Sequence, residues 1–190
     1  MASSKARSNS LPNAAAGGSR PDRVLGIDPG LNVTGYAVLE REPGLAGAAR
    51  VLEAGIIRTH RASEDMGTRL EIIHQGVREV LELFHPSAVA LEQVHTHLKR
   101  PRTAVLMAHA RGVILLASQL NGIPVHGYAA ARIKKTLTGS GRAPKDQMQR
   151  AIQTELKLPC LPEPHDVADA CAVALCHLLT ARMREAFHDL

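Results

Sequence analysis

A short apolar strand that ends in a carboxylate constrains this chain more than any other feature of its sequence. Residues 24–27 are mostly apolar, as in a buried strand, and Asp28 follows directly. Pro29 then ends the strand, because proline has no N–H to donate to a neighbouring strand. Since α/β proteins place their chemistry at the carboxyl edge of the sheet, Asp28 is a candidate functional residue. By itself it is equally compatible with an aspartate that begins a turn.

The composition is that of a one-domain protein with a basic surface. A length of 190 residues fits one domain, and with 45% hydrophobic but only 2% aromatic residues its core must be aliphatic. Lys and Arg outnumber Asp and Glu by 23 to 18, which favours a polyanionic partner such as nucleic acid. No apolar run reaches membrane-spanning length, and the three cysteines have no CxxC spacing. These features predict a soluble cytoplasmic protein without a membrane partner.

The chain divides into a folded domain and two short tails. Residues 1–22 are rich in Ser, Ala, Asn, Gly and Arg without an apolar period, which predicts a disordered N-terminal tail. Residues 23–185 are predicted to form the domain, and residues 186–190 a C-terminal tail. Further strands are predicted at 33–39, 51–59, 88–91 and 124–128, and helices at about 64–84, 103–120, 129–137, 145–157 and 165–184.

A second strand also ends in a carboxylate. The apolar run 88–91 is followed by Glu92, and the predicted helix 64–84 precedes it. A strand reached through a crossover helix usually lies parallel to an earlier strand, with a right-handed connection. If this strand lies beside the first one, Glu92 and Asp28 meet at the same edge of the sheet.

The last predicted helix begins with two further acids. Asp166 and Asp169 are three residues apart, so they share one helical face. Asp166 is also explained as an acid that favours the positive end of the helix dipole. Asp169 lies among small apolar residues, so we expect it to point towards the sheet edge together with Asp166. The preceding His165 is either a general base or a neighbour of the helix cap.

Four carboxylates that converge at one edge would repel each other strongly unless cations neutralised them. Oxygen ligands of this kind suit Mg²⁺, or Mn²⁺ as its substitute. Two such ions about 4 Å apart stabilise in-line attack on a phosphodiester. An acidic metal centre on a basic protein therefore predicts a nuclease, with catalytic and metal-binding roles for Asp28, Glu92, Asp166 and Asp169.

Several motifs in this chain resemble one family when they are taken in order. They are RVLGIDPGLNVTGYAV at 23–38, ALEQV at 90–94, ARGV at 110–113, Lys134, the segment 141–147 with Lys145, and HDVADACAVA at 165–174. Single pieces such as DPG occur widely, but the ordered set is similar to RuvC, the bacterial Holliday-junction resolvase family. The resemblance covers about residues 23–182.

This resemblance implies both a fold and an activity. The fold is α/β and RNase H-like, a five-stranded mixed sheet with helices on both faces. The activity is that of a crossover junction endodeoxyribonuclease, a homodimer that resolves four-way junctions in recombination and DNA repair by paired symmetric nicks, which leave 5′-phosphate and 3′-hydroxyl ends. The resemblance also implies two Mg²⁺ ions per subunit at the four acids, DNA contacts through Lys134 and Lys145, and the RuvA–RuvB branch-migration complex as a partner.

One position departs from the family pattern. Members often carry an aromatic residue in the loop after the catalytic glutamate, where it stacks at the junction, and His95 stands there in this chain. Imidazole stacks over a smaller area, and when protonated it also contacts phosphate. His95 is therefore a candidate DNA-binding residue of altered chemistry.

Two other functions are compatible with parts of the pattern. The DPG turn also occurs in sugar-kinase and actin-like ATPases, but those enzymes enclose ATP between two such domains and this chain has the length of one. A junction-binding module that does not cleave DNA would be expected to lack one of the acids, and this chain has all four. Because a fold alone does not settle function, the four acids carry the prediction of a nuclease.

Overall fold

A mixed five-stranded sheet lies at the centre of this computed structural model, which describes residues 22–42, 49–59, 65–93, 101–160 and 162–188. The strands are β1 (Arg23–Asp28), β2 (Val33–Arg41), β3 (Ala49–Arg58), β4 (Ala88–Glu92) and β5 (Val125–Tyr128), in the spatial order β3-β2-β1-β4-β5. The helices are α1 (Met66–Phe84), α2 (Pro101–Leu120), α3 (Ala130–Thr138), α4 (Lys145–Glu155) and α5 (His165–His188).

The direction of the strands follows from the connections between them. β1 and β2 are joined by a short loop and pair antiparallel, as do β2 and β3. β4 is reached through α1 and pairs parallel with β1, and β5 is reached through α2 and pairs parallel with β4. The predicted α/β fold with a five-stranded mixed sheet and helices on both faces is confirmed.

Alternate residues of β1 face two separate layers of core. Leu25 and Ile27 pack with buried residues of α1 and α2 on one face of the sheet. Val24 packs on the other face with buried residues of α3, α4 and α5. A strand that is buried on both faces does not alternate between polar and apolar residues. The continuous apolar run therefore correctly indicated that β1 is a central strand.

Two glycines allow α5 to lie very close to the sheet. A Cβ placed on Gly26 would lie 2.2 Å from the backbone oxygen of Ala170, and one on Gly35 would lie 2.0 Å from that of Asp166. Only residues without a side chain permit such an approach of helix backbone to strand. The beginning of α5 is therefore fixed directly over the end of β1 that carries Asp28, which is opposite Gly35 in the β1–β2 register.

Some boundaries differ from those expected from the sequence. α1 begins at Met66, after the N-cap Asp65, whose side chain accepts a hydrogen bond from the backbone N–H of Thr68 at 3.1 Å. α2 begins at Pro101, two residues before the predicted start at about residue 103. α5 continues to His188, beyond residue 185. Of the predicted tail at residues 1–22, residues 1–21 lie outside the described residues.

The expectation that no apolar run is long enough to span a membrane was wrong for α2. Residues 102–120 have a mean hydropathy of 1.3 and are long and apolar enough to cross one by length and composition alone. The expectation considered unbroken apolar runs, whereas polar residues such as His109 and Arg111 interrupt this segment and still leave its mean hydropathy high. In this fold Ala110, Ile114 and Ala117 are fully buried against the sheet, and 22% of the segment is buried inside the subunit.

Candidate active site

The carboxyl ends of the two parallel strands β1 and β4 lie side by side. Ile27 is opposite Leu91 in their register, and each is followed directly by an acid, Asp28 and Glu92. The first turns of α5 contribute Asp166 and Asp169 to the same place. The close contact between Gly35 and the backbone of Asp166 holds these turns against this edge of the sheet. All four predicted acids are therefore brought to the same corner of the fold.

The electrostatics of Asp28 confirm that these carboxylates interact. Burial, followed by the negative charges of Glu92, Asp169 and Asp166, raises the pKa of Asp28 to about 7. The ammonium group of Lys145 opposes this shift only weakly. At neutral pH the carboxyl of Asp28 therefore carries a substantial proton population, which a bound cation would displace.

The neighbouring acids are perturbed in the same direction. Burial, and then the charge of Asp169, raises the pKa of Glu92, while Lys134 lowers it. Burial also raises the pKa of Asp169; Lys145 opposes that effect, and Asp166 adds to it. Burial is therefore the first cause of the raised pKa of both carboxylates, and the nearby lysines offset it only in part.

A cavity of about 310 Å³ opens beside these acids. Glu92 and Asp169 line it from the sheet edge and from α5, and Lys134 and Lys145 line it from α3 and α4. Its remaining wall is apolar and consists of Ala130, Ile133, Met148 and Ala172. The structure thus brings both predicted DNA-binding lysines to the carboxylates, while His95 lies outside the described residues.

The donor set fits hard divalent cations. Its side-chain donors are carboxylate oxygens. Burial raises the pKa of Asp28, Glu92 and Asp169, and at least one neighbouring carboxylate adds to each of these shifts. Within the described residues, no three acid, imidazole or thiol groups already surround one common point. The argument that a metal ion fits this site therefore depends on the negative charge and the oxygen donors of the acids, not on a preformed set of ligands around one point.

His165 is exposed, and its Nδ1 atom lies 3.2 Å from the side-chain amide of Gln149 on α4. The charge of this imidazole lowers the pKa of Asp169 slightly, so it lies near the acids without a hydrogen bond to them. Of the two roles that the sequence left open, this contact between α4 and the start of α5 favours the structural one.

The loop after Asp28 is held by a network that sequence reasoning missed. The Thr59 hydroxyl donates to the backbone oxygen of Leu31 at 2.6 Å, and the Thr34 hydroxyl donates to that of Gly30 at 2.8 Å. Arg69 on α1 donates to the Leu31 carbonyl at 3.2 Å and also to the side chain of Asn32. The network fixes the path of the chain immediately beyond Asp28.

Arg111 is a second residue that sequence reasoning passed over, although it lies in the ARGV motif. Its Nη1 atom donates to the backbone oxygen of Glu92 at 2.8 Å. The motif was a usable signal, but only the folded chain shows that α2 passes the end of β4.

Comparisons with known proteins agree on one family. Residues 24–177 match the profile of the family described as crossover junction endodeoxyribonuclease RuvC. The crossover junction endodeoxyribonuclease RuvC of Rhodopirellula baltica is 52% identical over 154 residues, which cover 80% of this chain and 84% of that protein.

Solved structures give the same result. The structure of Thermus thermophilus RuvC superimposes with a TM-score of 0.80 at 35% identity, covering 85% of this chain and 96% of that one. The structure of T. thermophilus RuvC in complex with a Holliday junction substrate superimposes with a TM-score of 0.79 at 34% identity, covering 86% and 96% of the two chains.

Proposed function

Since the chain belongs to the RuvC family of metal-dependent crossover junction endodeoxyribonucleases and resolves Holliday junctions in recombination, we propose that the four acids at its sheet edge hold the metal ions and carry the catalysis. The observation that carries this proposal is the convergence of the four acids from the ends of β1 and β4 and the start of α5. Burial and the other three carboxylates raise the pKa of Asp28 there to about 7. Such a site is unfavourable for a fold unless a cation occupies it.

The proposed ions are two Mg²⁺ per subunit, with Mn²⁺ as a substitute. Bound at the acids, they would activate water and stabilise the leaving 3′ oxygen, which gives 5′-phosphate and 3′-hydroxyl ends. Asp28 and Asp169 are joined to rigid elements in the buried core, and Glu92 ends a strand that is paired on both sides. This rigidity would hold the carboxylates in place while the phosphodiester is cleaved.

The proposal is tested with a labelled synthetic four-way junction, incubated with the purified protein with and without Mg²⁺. Paired symmetric nicks that need the metal and give ligatable duplexes are expected. Binding without nicks in either Mg²⁺ or Mn²⁺ would instead favour the alternative of a non-cleaving junction-binding module.

Paired nicks require two active sites, and we propose that α2 forms the interface of a homodimer. Val105, Leu116 and Leu120 are exposed on this helix, and their spacing places them on one face. The opposite face of α2, which includes Ala110 and Ile114, is buried in the subunit. A two-fold axis at the exposed face would bury the apolar residues of both copies and match the symmetry of the junction.

Leu116→Lys is expected to raise the dissociation constant of this dimer about 100-fold or more, because two lysines would face the same apolar contact. Sedimentation of both proteins at several concentrations measures it. Leu83→Lys is the matched control, since Leu83 is an exposed leucine on α1, at 71%. A dimer that survives Leu116→Lys unchanged would place the interface elsewhere.

We also propose that Lys134 and Lys145 contact the phosphates of the bound strand. Both line the cavity that contains Glu92 and Asp169, and the chain as a whole has a formal net charge of +5. Positive groups beside the acids would hold a phosphate against the metal ions, since the acids alone would repel it.

Lys145→Ala is expected to slow cleavage about 10-fold and to reduce the salt dependence of junction binding by about one counterion per protomer. Binding titrations between about 50 and 200 mM salt give the slope. The matched control is Lys135→Ala, which removes the same charge from an exposed position on α3 outside the cavity. An unchanged slope for Lys145→Ala would remove this lysine from the DNA interface.

Three further assignments rest on membership of the family. His95 is proposed to contact the junction next to the active site, the RuvA–RuvB branch-migration complex is proposed as the partner, and the cytoplasm as the location. The relatives are bacterial DNA-processing enzymes, which supports the last of these.

A further inference from the structure

Arg111 on α2 binds the end of β4, the strand that carries the proposed metal ligand Glu92. Its side chain is half-buried, and among the described residues it forms no ion pair with a carboxylate. Its hydrogen bond goes instead to the backbone oxygen of Glu92, at 2.8 Å.

The guanidinium of Arg111 lies beside β5. Gly127 on this strand is opposite Leu91, one residue before Glu92. A Cβ on Gly127 would lie 3.2 Å from the side-chain amide nitrogen of Gln93 and 3.5 Å, an ordinary contact distance, from Nη2 of Arg111. Arg111 therefore passes next to β5 where it reaches the end of β4.

The carbonyl that Arg111 binds belongs to Glu92, whose carboxylate has to be correctly positioned to bind a metal ion. The next backbone group, the N–H of Gln93, is fixed by its hydrogen bond to the oxygen of Tyr128 at 2.9 Å. With the Glu92 carbonyl bound to Arg111, both sides of this peptide unit are held. A rotated peptide here would move the Glu92 carboxylate, and metal sites tolerate errors of only about 0.5 Å.

Arg111 also connects this peptide to α2. Its neighbour Ala110 and the nearby Ile114 are fully buried against the sheet, so the helix backbone is a firm base for the arginine. The same helix exposes the apolar face that includes Leu116. The hydrogen bond from Arg111 is thus a direct polar link between α2 and the carboxylate site.

We propose that Arg111 is a positioning residue, which holds the Glu92 peptide so that the Glu92 carboxylate is correctly placed for the metal ions. The proposal rests on the proposed function, because it takes Glu92 as a metal ligand. It assigns Arg111 no contact with the DNA or with the reacting atoms. Its effect should therefore appear in metal affinity rather than in junction binding.

The test uses the full-length variants Arg111→Gln and Arg111→Lys. For Arg111→Gln, the Mg²⁺ concentration for half-maximal cleavage should rise about 10-fold or more, which is typical for loss of a group that orients a ligand. Junction binding without metal should stay within about twofold of wild type, since the DNA-facing lysines are intact. Arg111→Lys keeps a donor and a charge, so it should restore part of the metal affinity.

A second readout does not depend on activity. Mg²⁺ should raise the melting temperature of the wild-type protein, because a ligand that binds only the folded state stabilises it. The rise should be much smaller for Arg111→Gln at the same Mg²⁺ concentration. If that variant does not fold, Arg111→Lys carries both measurements and should show an intermediate loss.

Arg23→Gln is the matched control. Arg23 is also a half-buried arginine that donates to a backbone oxygen, that of Phe84 at 3.0 Å, but it lies at the opposite end of β1 and also forms an ion pair with Glu40. It should lower stability without changing the Mg²⁺ midpoint. A midpoint that is unchanged in Arg111→Gln, or that moves equally in Arg23→Gln, would overturn the proposal. Absence of metal-dependent cleavage in the wild-type protein would instead overturn the proposed function.

Discussion

Asp28→Asn is expected to reduce junction cleavage at least about 1,000-fold while junction binding is retained. Asp28 lies at the centre of the acidic site, since its pKa responds to all three of the other carboxylates. The amide has nearly the same shape as the carboxyl but cannot supply the charge that holds a divalent cation. It also removes a negative group that repels the DNA backbone, so binding should be unchanged or slightly tighter.

Cleavage rates at saturating Mg²⁺ and binding titrations in the absence of metal measure the two effects separately. Asp146→Asn is the matched control, because Asp146 is an exposed acid in the first turn of α4 next to Lys145. It should cleave at close to the wild-type rate. Loss of binding together with cleavage in Asp28→Asn would indicate a structural role for Asp28 rather than a catalytic one.

Gly26→Ala is expected to destabilise the fold by about 3 kcal/mol, even though alanine is the smallest possible addition. The new methyl group would lie 2.2 Å from the backbone oxygen of Ala170 and 2.8 Å from the Cβ of Ala174. Neither contact can be relieved by rotating a side chain, so α5 would have to move away from β1. Because Asp166 and Asp169 begin this helix, the acidic site would be disturbed as well.

Thermal and denaturant unfolding measure the effect, and a loss of this size corresponds to about 10 °C in melting temperature. Gly67→Ala is the control, since a Cβ there would meet only a side-chain oxygen of Asp65, at 3.0 Å. It should change stability by no more than about 0.5 kcal/mol. Wild-type stability in Gly26→Ala would mean that α5 does not depend on this close contact with β1.

The local pattern was sufficient to predict the elements that bring the acids together. A strand such as residues 24–27 shows its burial on both faces through an unbroken apolar run, and Asp28 and Glu92 each end such a run. The crossover through α1 predicts that the two strands are parallel, and the structure shows that they are neighbours, so both acids meet at the same edge. The catalytic and metal-binding roles of these residues stay predictions, whereas the fold and the family are confirmed.

The contacts of the arginines could not be predicted in this way. Arg69 binds the backbone carbonyl of Leu31 in the loop after β1, and Arg111 binds that of Glu92 at the end of β4. Each arginine lies on a helix that is distant in sequence from the carbonyl it binds. Every residue has a backbone carbonyl, so the sequence does not show which of them accepts a hydrogen bond from a side chain. A side chain that binds one therefore looks the same in the sequence as any surface arginine.

The sequence by itself determined the strands and helices and the chemical type of the site, because apolar periodicity and carboxylate positions are local properties of a chain. The tertiary structure alone decided how closely α5 approaches the sheet, at Gly26 and Gly35, and which face of α2 stays exposed. These depend on the packing of segments that are distant in the chain, where one missing Cβ sets the position of a helix.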